Sequence, residues 1–126
     1  MKFIAKVLFP ICFVIFQGCM TKASPKVTTI DKVFLKTNAI GRKAQLIDVR
    51  TLEEYRAGHI DGAVNYDIRD KKTFLMQIEN LDKERPVYLY CQLGGRSGRA
   101  AQVLKAEGFT KIFDYSAGYN DWETQK

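Results

Sequence analysis

Residues 86–104 read PVYLYCQLGGRSGRAAQVL, and this stretch decides the fold. Pro86 stops whatever precedes it, and Val87-Tyr88-Leu89-Tyr90 is a continuous apolar run of the kind buried on both faces of a parallel sheet. Ala100, Ala101, Val103 and Leu104 then recur at helical spacing, with Ser97 as the predicted cap and Gly108 as the stop. Six residues, Cys91 to Arg96, join the strand to the helix. A buried strand passing through a glycine-bearing turn into an amphipathic helix is a building unit of α/β sheets.

The same alternation extends on both sides. Upstream, Asp31 is the predicted cap of a helix carrying Val33, Phe34 and Leu35 on to Ile40, with Gly41 at its end. Residues 45–49 form a strand candidate, and Thr51-Leu52-Glu53-Glu54 has capping-box spacing for a short helix stopped by Gly58. A short strand is expected over 63–66, and Phe74, Leu75, Ile78 and Leu81 predict an amphipathic helix over 72–81. Downstream, Ile112-Phe113 reads as a last strand and Tyr119 to Trp122 as a terminal turn or helix. The expected architecture is one α/β domain over residues 27–126, a small parallel sheet flanked by helices. A chain of 126 residues has the length for one such core.

The first residues have a different grammar. Lys2 and Lys6 make a basic start, and residues 7–16 are apolar except for Pro10, too short to span a bilayer. Gly18-Cys19 follows, then polar Thr21 to Lys26, a layout that resembles the lipobox of bacterial lipoproteins. That resemblance implies a signal peptide over 1–18, a lipid on Cys19, a tether over 19–26, and anchorage on the periplasmic side of a bacterial membrane. Cleavage near Ala23 or an uncleaved anchor are the alternatives.

Charge narrows the partners. The chain carries +6, and without the two lysines before residue 19 it keeps 18 basic against 14 acidic residues, or +4. No face gathers those charges into a stripe with interleaved aromatics, so nucleic acid is not an expected partner; small anions or an acidic partner are. Of the three cysteines, Cys12 falls within the signal and Cys19 at the lipidation position. Cys91 is then the lone thiol of the domain, which excludes an internal disulfide and an internal resolving cysteine.

Sites in open α/β sheets form at the carboxyl ends of strands. Cys91 follows one such end, and Asp48 and Arg50 sit at another. Gly94 and Gly95 permit the positive-φ conformations that turn backbone N–H groups inward as an anion nest. The helix N-terminus adds partial positive charge, and Arg96 offers a planar fork for an oxyanion. Those surroundings predict a thiol well below its ordinary pKa and a thiolate at neutral pH, with no base required. The alternative, an inert cysteine in a tight turn, leaves the glycines and the arginine unexplained.

These residues resemble a known family. Asp48-Val49-Arg50, Glu54-Tyr55 and the run from Gly58 to Asn65 are similar to the first signature of rhodanese-homology domains. Tyr90-Cys91-Gln92-Leu93-Gly94-Gly95-Arg96-Ser97 resembles their active-site loop, and Gly108-Phe109 with Ala117 to Trp122 resembles their closing segments. The resemblance spans roughly residues 27–123 in the expected order. It implies a sulfurtransferase in which Cys91 takes the outer sulfur of thiosulfate or an organic persulfide and passes it to a thiol or cyanide. It further implies that Gln92 to Ser97 bind the donor, that Asp48 and Arg50 support the loop, and that no metal or organic cofactor takes part; a monomer is expected. Phosphatase relatives hold five residues between cysteine and arginine, whereas here Gln92, Leu93, Gly94 and Gly95 make four, a tighter cradle suited to sulfur. The remaining alternatives are a persulfide carrier acting with a partner protein, and a non-catalytic interaction unit.

Gln92 and Leu93 bring no basic charge into the loop, which leaves the donor open between thiosulfate and a neutral or organic persulfide. Ala117 stands where the family often has a second glycine. His59, the only histidine, belongs to the turn after the short helix and is read as structural. Asp48 is expected to anchor backbone or Arg50, and Ser97 to cap the helix or donate into the loop. Arg99, one turn along, is expected in solvent, where it widens the positive field.

Overall fold

The computed structural model describes Gly18 and residues 20–124. Residues 1–17 and Cys19, which hold most of the expected signal and its lipidation position, lie outside the described residues. Among the described residues, five strands and five helices alternate: β1 (Lys26–Thr29), α1 (Lys32–Asn38), β2 (Gln45–Asp48), α2 (Leu52–Ala57), β3 (Val64–Asn65), α3 (Lys71–Ile78), β4 (Val87–Tyr90), α4 (Gly95–Ala106), β5 (Lys111–Tyr115) and α5 (Gly118–Glu123). The strands form one sheet in the order β1-β5-β4-β2-β3, every pairing parallel. This is the predicted α/β architecture.

The pleat divides the core. Along β4, Val87 and Leu89 share one face with Cys91, and along β2 Ile47 shares it with Val49. Phe74 and Ile78 of α3 and Ala100, Ala101 and Leu104 of α4 cover that face. Tyr88, Tyr90 and Leu46 point the other way, onto Leu35, Ile60 and Tyr119. Cys91 therefore hangs from the end of a strand buried on both sides, its thiol turned toward the α4 face.

Local chemistry sets most boundaries. Asp31 accepts the Phe34 N–H at 2.8 Å and caps α1. In α2 the capping box is complete: Thr51 Oγ1 accepts from Glu54 N, and Glu54 Oε2 accepts from Thr51 N. A cap of this kind stabilises a helix by about 1 kcal/mol. Asp70, which sequence spacing did not single out, caps α3 by accepting from Thr73 N.

Three expectations change. Lys26, placed in the tether, is the first residue of β1, an edge strand in register with Lys111 to Asp114 of β5. Helix α3 ends at Ile78 rather than 81, because Asn80 and Leu81 turn on i→i+3 bonds to Gln77 and Ile78. Leu81 still packs against the core from that turn, which is why its spacing read as helix. Helix α4 begins at Gly95, so Arg96 and Ser97 lie in its first turn instead of ahead of it.

Candidate active site

The carboxyl ends of β2 and β4 lie side by side, with Asp48 opposite Tyr90. Cys91 follows Tyr90 and is 1 % exposed. The Gly94 N–H donates to Cys91 Sγ at 3.0 Å, and the thiol donates to Ser97 Oγ at 3.7 Å. Burial pushes the Cys91 thiol up, but the Ser97 backbone N–H and hydroxyl and the N–H groups of Gly94 and Leu93 outweigh it. The net pKa lies below that of an ordinary thiol.

Only one of the two loop glycines uses its freedom. Gly94 has φ +96°, and a Cβ there would stand 2.4 Å from the Ser116 carbonyl oxygen. Gly95 is helical, its missing side chain leaving open space over the loop. Ser97 is not the cap. Gly94 holds that position with no side-chain bond, since its left-handed backbone turns the chain straight into the helix. Ser97, fully buried, donates instead to the Gly94 carbonyl at 3.1 Å and presents its oxygen to Cys91.

The loop carbonyls are held from behind. Tyr119 N donates to the Cys91 carbonyl at 2.8 Å and Asn120 N to the Gln92 carbonyl at 3.2 Å. With both carbonyls bound outward, the loop N–H groups are left facing the sulfur. Gly118 permits this approach: at φ +72°, any Cβ would lie 2.4 Å from the Gln92 oxygen and 2.7 Å from that of Cys91. Sequence reading reached Gly118 only as part of a closing segment.

Two arginine–carboxylate pairs flank the loop. Arg50 is 2 % exposed and Asp48 fully buried. Arg50 Nε and a terminal nitrogen donate to the Asp48 carboxylate at 2.7–3.0 Å. Arg50 also donates to the Gly58 carbonyl at 2.7 Å and to Gln92 Oε1 at 3.0 Å, and lies over the Tyr119 ring. Burial opposes its charge, yet Asp48 more than compensates and leaves the guanidinium above its ordinary pKa. Asp48 further accepts from the Arg50 N–H and the Tyr90 hydroxyl, and that hydroxyl accepts from Ile60 N. Asn65 ties the Asp48 and Arg50 carbonyls together from β3.

Arg96 was expected to offer its fork to an anion. Its two terminal nitrogens instead donate to Glu54, at 2.7 and 2.8 Å. The Arg96 bond, with those from Thr51, holds the Glu54 carboxyl down at about 2. Arg96 still lines an open depression of about 400 Å³ over the thiol, with Cys91, Gln92, Leu93, Gly95 and Arg99. Leu93, at its rim, is 74 % exposed. His59 lies apart: it bonds the Tyr55 carbonyl and stacks on the Tyr55 ring at 3.8 Å. Sequence reading missed Asp114, a buried carboxyl at the end of β5. Burial raises its pKa while nearby Ser97 pulls the other way, and one of its oxygens has no hydrogen-bond partner.

The chain is 47 % identical over 81 residues to the uncharacterized protein YqhL of Bacillus subtilis, covering 64 % of this chain and 62 % of that one. The chain thus spans about three fifths of that relative's length. It is 32 % identical over 81 residues to the thiosulfate sulfurtransferase GlpE of Shewanella oneidensis, covering 64 % and 77 % of the two chains. Among solved structures, a human single-domain sulfurtransferase superposes with a TM-score of 0.66 at 26 % identity, covering 78 % of this chain and 96 % of that one. The rhodanese-like domain model matches residues 34–125, and the chain belongs to the rhodanese-like domain family.

Proposed function

We propose that this protein is a sulfurtransferase that carries sulfane sulfur on Cys91. The observation that supports it most is the thiol itself, facing the Leu93, Gly94 and Ser97 N–H groups and lowered in pKa at the floor of an open depression. With thiosulfate, the Cys91 thiolate attacks the outer sulfur. A new Sγ–S bond forms, the donor S–S bond breaks, and sulfite departs with the electron pair, leaving a persulfide anion. With an organic persulfide the same displacement releases a thiolate. A thiol or cyanide then attacks the outer sulfur and returns the Cys91 thiolate, so the cycle has no net oxidation. The loop N–H groups suit both anions, and the Ser97 hydroxyl adds a donor once the thiol is ionised.

A persulfide-carrier role is the second reading, favoured by the exposed Leu93 beside the thiol, an apolar contact for a partner protein. One experiment separates the two. Full-length protein incubated with thiosulfate or glutathione persulfide should gain one sulfur by intact mass, mapped to the Cys91 peptide and absent in Cys91→Ser. Sustained thiocyanate formation from cyanide supports the enzyme, and loading without turnover supports the carrier. No gain of sulfur from either donor rejects both readings, and phosphate-ester hydrolysis would point to the phosphatase alternative.

The N-terminal pattern supports a second element of the proposal: residues 1–18 as a signal, lipid on Cys19, and the domain tethered at a bacterial membrane through residues 19–26. Labelled palmitate should enter the wild-type protein in a bacterial host and be lost with Cys19→Ala. Absence of label in the wild type would reject lipidation.

A further inference from the structure

The cations around Cys91 are unevenly committed. Arg50 is paired with Asp48, Arg96 with Glu54, and Arg69 with Asp67 at 3.3 Å. Among the described residues, Arg99 and Lys71 have no ion-pair partner. Both line a second depression, about 530 Å³, with Ile68, Arg69 and Val103. Arg99 also lines the depression over Cys91, so the two hollows meet at its side chain.

Helix geometry orders this surface. Arg96, Arg99 and Val103 follow one another at i+3 and i+4 and share a face of α4, so the second hollow begins about one turn, ~5 Å, beyond the loop. Lys71 enters from the first turn of α3, on the far wall. Buried Ile68 and half-buried Val103 give the hollow an apolar floor between its cations. Among the described residues, no carboxylate lines it; Asp67 lies beyond, on Arg69.

We infer that the second hollow is a subsite for the carboxylate end of an organic persulfide or thiol whose sulfur sits at Cys91. The inference rests on the sulfur-transfer reading and names the substrate class within it. Thiosulfate carries its charge on the atom next to the transferred sulfur, where both neighbouring guanidiniums are already paired. A peptidic persulfide carries carboxylates several bonds away, at the reach of Arg99 and Lys71, with an apolar stretch between to rest on Ile68 and Val103. Transfer follows the displacement above: the Cys91–sulfur bond forms, the donor S–S bond breaks, and the carboxylated thiolate leaves.

The test compares glutathione persulfide, with two carboxylates, against 2-hydroxyethyl persulfide, which has none, with cyanide as acceptor and the full-length protein as enzyme. Lys71→Glu and the double variant Lys71→Gln/Arg99→Gln should raise KM for glutathione persulfide about tenfold relative to KM for the donor without carboxylates. High salt, which screens the attraction, should raise that ratio in the wild type as well. A ratio unmoved by both variants, or an equal rise for both donors, overturns the subsite. Lys71→Gln alone, at an exposed position, guards against a folding defect through its thermal melt. If neither thiosulfate nor either persulfide loads wild-type Cys91, the sulfur-transfer reading fails, an outcome visible by mass and distinct from an unmoved ratio; loading by thiosulfate alone overturns the subsite.

Discussion

Asp48–Arg50 and Glu54–Arg96 are the same pair of chemistries in two settings. The first lies under the loop, with both side chains essentially sealed from water. The second stands at the rim, 33 % and 21 % exposed. Under the loop, charge has been removed from water and all three guanidinium nitrogens donate: Arg50 holds Asp48, the Gly58 carbonyl and Gln92 at once. At the rim, the pair joins α2 to α4 while water and salt still reach it. Burial thus makes one pair a structural brace and leaves the other an adjustable latch.

The contrast is sharpest if the brace is broken. Asp48→Asn leaves a buried guanidinium without its counter-charge, which should cost about 3–5 kcal/mol in urea unfolding and disorder Gln92. A loss below about 1 kcal/mol would mean that burial does not distinguish the pairs. Glu54→Gln should cost under about 1 kcal/mol, because solvent screens the rim. Its signature is in the pH dependence. The Glu54 carboxyl is depressed from 4.5 to about 2 in the fold, so its stabilisation is present above pH 4.5 and is lost as pH falls through about 2. The stability gap between wild type and Glu54→Gln should therefore be flat above that window and close within it. A gap that persists below the window, or opens only above neutral pH, would assign the effect to another group.

The parts legible in the sequence were those governed by neighbours along the chain. The apolar run of β4 and the Thr51–Glu54 box rest on spacing alone, and both are found where spacing put them. Ser97 misled because a serine ahead of an alanine-rich helical repeat has the pattern of a cap. The left-handed turn at Gly94 started the helix earlier and turned the hydroxyl inward. β1 was not legible, since Lys26-Val27-Thr28-Thr29 is a short edge strand whose partner, β5, lies more than eighty residues on. The Arg96–Glu54 bond and the Arg50–Gln92 contact each join residues 42 apart, beyond any local pattern. Gly118 belongs to the same class: its necessity comes from carbonyls on another loop.

The all-parallel sheet also gives the molecule a front and a back. Every strand runs the same way, so Lys26 at the start of β1 and Cys91 beyond the end of β4 lie at opposite ends along the strand direction, separated by the length of a strand, on the order of 13 Å. Anything that holds the protein through the chain before Lys26 holds it from the back. Attached to a surface in that way, the domain would present its sulfur outward, to molecules arriving from solution.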